Sequence, residues 1–290
     1  MVSLTLLDHC SLPGNPARAN EDAFGTAGNF AWVIDGATGV GAFECLEGPS
    51  DAAWLSATAS EILAERIGAG TDDLRSLLAE TIDLLAQRFD EAVVRPPEAR
   101  HQRPTAAILI ARFDPDGIEA IELGDCLLIA RGGEGRFGSV GLGRPGREVE
   151  QAAAKQMHDH GATLDHPEVR RRMREGRDRH NTPEGYWIFG LDPEVVDHAR
   201  THRLDLAASQ TALLATDGFA ALFEDYGRYS PEAALEAATS RGLAALGEEL
   251  RMVEHGEDPS CRRYPRFKVS DDATALLVRG RFEGNGRRRG

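Results

Sequence analysis

The order of helical and apolar segments constrains this chain most strongly, because two long amphipathic segments follow one another with no apolar strand between them. The first extends over Asp51–Ile67, directly after Ser50, and the second over Thr71–Val94, shortly before Pro96. Serine and threonine at such positions are typical of helix N-termini, and proline ends a helix. Because two adjacent helices break the alternation of strand and helix, a doubly wound parallel sheet is disfavoured.

Short apolar runs on both sides of these helices predict β-strands. Several runs are continuously apolar, which is typical of strands that are buried on both faces. Another helical pattern extends from about Pro231 to Glu254. The sequence therefore predicts an α+β fold, with antiparallel sheets and helices packed outside them. The predicted strands are Ala31–Ile34, Ala106–Arg112, Ile118–Leu123, Leu127–Ala130, Thr211–Ala215 and Ala273–Val278.

The composition and the lack of a low-complexity linker predict a single domain. Of the 290 residues, 41% are apolar and 28% are charged, which is typical of a globular rather than a disordered protein. We expect the domain to cover residues 1–281, with a polar, arginine-rich insertion at about 148–198. Residues 282–290 are basic and are expected to form a disordered tail.

Charge and cysteine usage exclude several classes of protein. With 33 basic and 47 acidic residues, the net charge is −14, which opposes binding to nucleic acid. No run approaches the roughly 18 apolar residues of a membrane span, and the first residues do not resemble an export signal. The four cysteines are widely spaced and form no C-x-x-C pair. This pattern predicts reduced thiols and a cytoplasmic protein.

Apolar runs meet aspartate four times, which is the main indication of chemistry. Asp35, Asp125 and Asp217 end such runs, and Asp271 with Asp272 precedes the last one. A carboxylate at a strand end lies on a rigid element at the rim of the core, where Mg²⁺ or Mn²⁺ could find oxygen ligands. An Asp-Gly pair after a strand is also a common turn signal. The residues alone leave both interpretations open.

Two charged segments have comparable alternatives. Arg18, Glu21 and Asp22 lie just before the first apolar strand, where the guanidinium could bind phosphate through two oxygens. The alternative is a solvated charged loop. The run Arg170–Arg179 is typical of a solvated helix face, and its functional alternative is a basic surface that steers a phosphorylated partner.

Five motifs, taken in order, resemble those of the metal-dependent protein phosphatases, the PPM or type-2C family, in its bacterial branch. They are RANED at 18–22, VIDGATGVG at 33–41, RPTAAILI with IELGD between 103 and 125, LLATDG at 213–218, and DDATALLV at 271–278. The resemblance covers roughly residues 8–280. It implies an antiparallel β-sandwich flanked by helices on both sides, in four layers. It also implies that the insertion at about 148–198 forms a flap beside the active site.

The resemblance implies a metal-binding role for six residues, of which Glu21 acts through a metal-bound water and the other five bind an ion themselves. Asp35 resembles the aspartate that bridges two Mg²⁺ or Mn²⁺ ions, and Gly36 resembles the glycine whose carbonyl binds one of them. Asp217 and Asp271 resemble the other direct ligands of the second ion. Asp125 resembles the aspartate that holds a weaker third ion.

Three residues resemble catalytic positions of the family. Glu21 resembles the carboxylate that holds a metal-bound water, Asp22 is its neighbour near the site, and Arg18 resembles the phosphate-binding arginine. The chain also departs from the pattern, since Arg18 precedes Glu21 by one residue fewer than in the family. Ala37 lies where eukaryotic members often have histidine. These departures indicate a divergent subgroup.

The activity implied by the resemblance is that of a cytoplasmic serine/threonine protein phosphatase dependent on Mg²⁺ or Mn²⁺. A hydroxide that bridges the two ions would attack the phosphomonoester directly. The expected partner is a phosphorylated protein, neither nucleic acid nor membrane is expected, and the chain is expected to be a monomer. The alternative is a catalytically weak or silent phosphatase-like module that binds and regulates a phosphoprotein. A Ca²⁺-stabilised β-domain is a further rival.

Overall fold

Two antiparallel β-sheets of five strands each form the centre of the protein. The computed structural model describes residues 2–143, 146–206 and 210–282. One sheet has the strand order β1-β10-β9-β6-β7, and the other has the order β2-β3-β4-β5-β8. The strands are β1 (Val2–Leu12), β2 (Ala23–Ala27), β3 (Phe30–Gly36), β4 (Ala106–Asp114), β5 (Gly117–Leu123), β6 (Leu127–Arg131), β7 (Phe137–Val140), β8 (Arg200–Leu204), β9 (Gln210–Ala215) and β10 (Ala273–Phe282).

Helices cover the outer face of each sheet. Two of them, α1 and α2, pack on the β3-containing sheet through residues such as Leu55 and Leu78. The other sheet carries α5, α6 and α7, which pack through residues such as Phe219 and Leu246. The helices are α1 (Asp51–Gly68), α2 (Leu74–Ala92), α3 (Arg147–Asp159), α4 (Pro167–Arg177), α5 (Asp217–Glu224), α6 (Pro231–Arg241) and α7 (Leu243–Met252). Within the described ranges, no helix combines the length and the apolar character needed to cross a membrane.

A third apolar cluster fills the space between the sheets. It contains Val33 and Leu109 from one sheet and Leu128, Leu214 and Leu276 from the other, all of them fully or almost fully buried. Successive side chains of a strand point to opposite faces, so each central strand supplies residues both to this layer and to a helix-covered layer. The predicted α+β class and the four-layer helix-sheet-sheet-helix arrangement are therefore confirmed.

All six predicted strands are present, and the four strands that the apolar runs did not predict are the four edges of the sheets. β1 and β7 border one sheet, and β2 and β8 border the other. The edge strand β8 is largely exposed or half-buried. An edge strand does not require a continuous apolar run, because its side chains are only partly covered, as the burial of β2, β7 and β8 shows.

The long helix predicted near the C-terminus is wrong at its centre. Gly242 has a φ of +84°, which separates α6 from α7 and ends the helical pattern of Pro231–Glu254 at that point. Glycine adopts this left-handed conformation without the steric cost that other residues meet. At the end of the chain, Phe282 is the last residue of β10, and the rest of the predicted tail lies outside the described residues.

Candidate metal centre

Three carboxylates from separate parts of the chain meet at one end of the sandwich. Asp35 lies at the end of β3, Asp125 lies between β5 and β6, and Asp217 is the first residue of α5. One carboxylate oxygen from each residue lies within 4.8 Å of the corresponding oxygens of the other two. All three are half-buried, and in the described part of the chain they are the one acidic group that could hold a metal ion.

Asp35 is carried to this point by the alternation of β3. Ala31 and Val33 point into the layer between the sheets, and Asp35 follows them on the same face of the strand. Burial raises the pKa of the Asp35 carboxyl well above its usual range, and the charges of Asp217 and Asp22 raise it further. The site therefore concentrates negative charge that a cation would neutralise.

The same carboxylates act on the thiol of Cys126. Cys126 follows Asp125 directly and is fully buried in the layer between the sheets. Burial raises the pKa of this thiol well above its usual range, and the charges of Asp35 and Asp125 add to the effect. A reactive thiolate is consequently disfavoured here.

The glycines after Asp35 and Asp217 are required for close backbone approach and not for turns. A Cβ atom at Gly36 would lie 2.4 Å from the carbonyl oxygen of Glu21, and one at Gly218 would lie 1.9 Å from the carbonyl oxygen of Asp272. Gly36 is the last residue of β3, and Gly218 belongs to α5. The turn interpretation of these two Asp-Gly pairs is therefore wrong.

The α5 helix places Asp217 at its N-terminus, where the helix dipole favours a negative charge. The preceding Thr216 does not cap this helix with its hydroxyl. Instead its Oγ1 donates a 2.9 Å hydrogen bond to Oδ2 of Asp22. The start of α5 thereby joins the candidate metal cluster to the segment that contains Asp22.

Asp22 lies beside this cluster in a largely buried environment. Its Oδ1 atom is buried and has no hydrogen-bond partner within the described ranges. Burial raises the pKa of Asp22 well above its usual range, Asp272 and Asp271 raise it further, and the bond from Thr216 opposes the shift. This carboxyl therefore has an oxygen available for a ligand or a proton.

Glu21 is buried and is bound by two hydroxyl groups. Thr38 donates a 2.5 Å hydrogen bond to its Oε2, and Ser50 donates a 2.6 Å bond to its Oε1. Ser50 is also the N-cap of α1, where its hydroxyl accepts from the backbone N–H of Ala53. Helix α1 and the loop that follows β3 together fix the Glu21 side chain at the site.

Asp271 and Asp272 are adjacent in sequence but take part in different contacts. Both oxygens of Asp272 accept 2.7 Å hydrogen bonds from backbone N–H groups, one from Gly14 and one from Glu21. The carboxylate of Asp271 instead accepts a 2.8 Å bond from Nζ of Lys268. Asp271 is thus outside the group of three converging carboxylates, although its charge still acts on Asp35.

Lys268 is a basic residue of the site that the sequence analysis did not identify. Its Nζ also lies 3.2 Å from Oγ1 of Thr38. Burial disfavours its charge, but the carboxylates of Asp271, Asp35 and Glu21 together act in the opposite direction, so the pKa of Lys268 is raised. The one sequence feature that could have indicated Lys268 is the rarity of lysine, since Lys155 and Lys268 are the only lysines among the 33 basic residues.

The arginines fall into two groups. Arg18 is exposed on the loop after β1, where its backbone N–H donates to the carbonyl of Asn15. On α4, by contrast, Nε of Arg174 donates to the carbonyl of Val40 over 2.8 Å, and Nη1 of Arg177 donates to that of Ala37 over 3.3 Å. Burial lowers the pKa of Arg177, and the charge of Glu21 opposes this shift. Helix α4 therefore brings a cation towards the site.

The other side of α4 fits the solvated interpretation. Arg170 pairs with Asp165, and Arg171 and Arg172 pair with Glu168. These residues are exposed, so the ion pairs contribute little to stability. The Arg170–Arg179 run thus combines a solvated face with a face that contacts the loop after β3.

The chemistry of the three converging side chains suits a divalent cation. Mg²⁺ and Mn²⁺ prefer carboxylate oxygens and usually retain several waters, so a small number of protein ligands is enough. Asp35 supplies such an oxygen from the end of β3, Asp125 from the connection between β5 and β6, and Asp217 from the start of α5, and their half-buried position leaves room for solvent. The residues present therefore fit a metal centre.

The family model described as protein phosphatase 2C matches residues 17–251, which include strands β2 to β9 and the residues Asp35, Asp125 and Asp217. The chain belongs to the protein phosphatase 2C family. The resemblance seen in the motifs is thereby confirmed.

Solved structures of serine/threonine phosphatases share the fold. The PPM Ser-Thr phosphatase MsPP from Mycobacterium smegmatis, in complex with cacodylate, is 18% identical with a TM-score of 0.52, covering 96% of this chain and 97% of that one. The catalytic domain of the phosphatase PstP, in complex with two manganese ions, is 16% identical with a TM-score of 0.51, and the match covers 97% of this chain and 100% of that one. Stp1 from Staphylococcus aureus is 14% identical with a TM-score of 0.52, and the match covers 98% of this chain and 96% of that one. A comparison with curated protein sequences found no match.

Proposed function

We propose that this protein phosphatase 2C member hydrolyses phosphoserine and phosphothreonine in proteins, with Mn²⁺ or Mg²⁺ as its cofactor. The observation that carries this proposal is the convergence of Asp35, Asp125 and Asp217 within 4.8 Å at one end of the sandwich. The two manganese ions named in the PstP complex support a divalent metal. The cacodylate of the MsPP complex supports an oxyanion ligand.

In this proposal, one group of acidic residues holds the metal ions. Asp35, Asp125 and Asp217 hold the metal ions, with Asp271 and the carbonyl of Gly36 as the further ligands implied by the motifs. When bound, such ions lower the pKa of water and neutralise charge on phosphoryl oxygens.

Glu21 and Asp22 orient the attacking water in this proposal. Glu21 is held by hydroxyl groups on both of its oxygens, so its carboxylate has a fixed direction. Asp22 has a buried oxygen without a partner among the described residues, which can accept a hydrogen bond from water. Direct attack by water requires no phosphorylated enzyme intermediate, and no activated serine or cysteine is needed.

Phosphate binding is assigned to cationic side chains near the same end of the sandwich. Arg18 is the arginine implied by the motif, and it is exposed and so available to an incoming phosphoprotein. Arg177 approaches from α4, and the charge of Glu21 favours the charged form of its guanidinium. An arginine binds phosphate oxygens through two parallel hydrogen bonds, which positions the ester for in-line attack.

Turnover of a phosphoserine or phosphothreonine peptide, together with p-nitrophenyl phosphate, tests the proposal. The metal-free protein is assayed alone and with Mn²⁺, Mg²⁺, Ca²⁺ or a chelator. We expect Mn²⁺ or Mg²⁺ to support turnover, and the chelator to abolish it. Binding of the phosphopeptide without turnover under any metal would instead support a regulatory module. Stabilisation by Ca²⁺ alone would support a calcium-binding β-domain.

A further inference from the structure

Lysine is so rare in this chain that its presence at the acidic site requires an explanation. The 33 basic residues comprise 31 arginines and two lysines, Lys155 and Lys268. Lys155 forms an exposed pair with Asp159 one turn along α3. Lys268 lies instead among the acidic residues of the candidate metal centre.

The contacts of Lys268 differ from those of an ordinary surface pair. Nζ of Lys268 lies 2.8 Å from Oδ1 of Asp271 and 3.2 Å from Oγ1 of Thr38, and that hydroxyl in turn donates to Glu21. Only 35% of the Lys268 side chain is exposed, against 64% for Lys155. Lys268 therefore connects Asp271 to Glu21 through one hydroxyl group.

The same ammonium group competes with a divalent ion at Asp271. The motif pattern implies that Asp271 joins Asp35 and Asp217 around an ion, whereas the converging group contains Asp125 in its place. A carboxylate oxygen that accepts a charged hydrogen bond at 2.8 Å must lose that bond before it binds a metal. Lysine suits this position because its charge is compact and its donors can rotate.

We propose that Lys268 is a built-in counter-cation that takes the place of one divalent ion at Asp271. One ion binds tightly among Asp35, Asp125 and Asp217, and a second ion binds weakly because it must displace the ammonium group. The inference rests on the proposed function only in requiring that this centre binds divalent ions. The site would therefore differ from one that binds two ions with similar affinity.

The lysine pair offers a matched experiment on the full-length protein. Mn²⁺ binding is measured by calorimetry, and free Mn²⁺ is counted by electron paramagnetic resonance, so neither readout depends on activity. We expect Lys268→Met to tighten the second ion by about tenfold or more, the equivalent of one charged hydrogen bond released. Lys155→Met, which removes the other lysine, is expected to bind Mn²⁺ like the unmodified protein.

Three further variants connect the effect to Asp271. Lys268→Arg retains a cation and should give little of the gain seen with Lys268→Met. The double variant Lys268→Met, Asp271→Asn should lose the gain, because the released carboxylate is then absent. Asp271→Asn alone should change the affinity for the first ion by less than about tenfold. That measurement remains valid even where Lys268→Met fails to fold, which circular dichroism would show.

The possible results separate the two proposals. Two tight ions in the unmodified protein, an unchanged second ion in folded Lys268→Met, or a large loss of the first ion in Asp271→Asn would each overturn the role of Lys268. These results would leave a metal-dependent phosphatase intact. Absence of Mn²⁺ binding in every variant would overturn the proposed function and this inference together.

Discussion

The two sides of the acidic site differ in how their carboxylates are arranged. On one side, Asp35, Asp125 and Asp217 bring oxygens within 4.8 Å of one another. On the other side, Asp271 accepts from Lys268, and Asp272 accepts from two backbone N–H groups. We call the first group the converging side and the second the bonded side.

This difference indicates which carboxylates would bind a metal ion and which ones stabilise the fold. Carboxylates at such distances repel one another, and a proton or a cation relieves the repulsion. On the bonded side, hydrogen bonds from Lys268 and from two backbone N–H groups hold the carboxylates, so these contacts exist without any added ion. We therefore expect changes on the converging side to affect metal binding and activity, and changes at Asp272 to affect stability.

The largest effect is expected from Asp35→Asn or Asp217→Asn. Each removes a charged ligand from the converging side, and we expect phosphopeptide turnover to fall by about 100- to 1,000-fold, the usual cost of losing a single electrostatic group from an active site. Initial rates at saturating Mn²⁺ measure the loss. Asp83→Asn on the exposed face of α2 is the matched control and should retain full turnover. Full activity of either site variant would remove the distinction between the two sides.

Asp125→Ala should affect two substrates unequally. Besides holding the tightly bound ion, Asp125 would position the metal-bound water that gives a proton to the leaving group, and a serine alkoxide needs that proton far more than p-nitrophenolate does. We expect phosphopeptide turnover to fall about 100-fold more than p-nitrophenyl phosphate turnover, in line with general acid catalysis. Parallel kinetics with the two substrates give this ratio. Equal losses would assign Asp125 a structural role on the converging side.

The stability of the metal-free protein should depend on pH in a defined direction. Because the pKa of Asp35 is raised in the folded state, its contribution to stability is present at low pH and is lost as pH rises through the folded pKa. The metal-free protein should therefore gain stability from this group as pH falls from 7 towards 5. At pH 7, Mn²⁺ at a hundredfold excess over its Kd should restore about 2.7 kcal/mol.

Thermal melts of the protein and of Asp35→Asn measure this behaviour. The variant lacks the titrating group, so it should melt higher than the metal-free protein at pH 7 and should show a smaller change with pH. Equal pH dependence in both would mean that the charge on the converging side does not destabilise the fold.

The smallest effect is expected on the bonded side. Asp272→Ala removes two hydrogen bonds to the backbone of Gly14 and Glu21, and we expect the free energy of unfolding to fall by about 2 kcal/mol. Asp271→Ala is the matched neighbour, and its partly exposed pair with Lys268 should cost less. Urea unfolding in the presence of a chelator compares the two variants. A larger loss from Asp271→Ala would contradict the assignment of Asp272 to structure.

The sequence predicted the centre of the fold better than its edges. Runs such as Ala106–Arg112 must be apolar because β4 is covered on both faces. Strands such as Arg200–Leu204 lie at an edge and carry polar side chains, so periodicity could not distinguish them from loops. The break at Gly242 was missed because a helix-like pattern continues across it, whereas the backbone conformation there does not.

The candidate site was predictable where it depends on strand ends. Asp35, Asp125 and Asp217 were found because each follows an apolar run, and strand ends at one side of a sandwich lie close together. The contacts of Lys268 could not be predicted, because they depend on a loop that is brought to Thr38 from 230 residues away in sequence. Adjacent residues such as Asp271 and Asp272 also diverge for tertiary reasons, since separate partners hold each carboxylate.

Anomalous diffraction from crystals grown with Mn²⁺ tests the central claim most directly, because it locates the ion rather than its effect. The strongest peak should lie among the carboxylate oxygens of Asp35, Asp125 and Asp217, with Lys268 still bonded to Asp271. A strongest peak beside Asp271 with Lys268 displaced, or no peak at this end of the sandwich, would contradict the account.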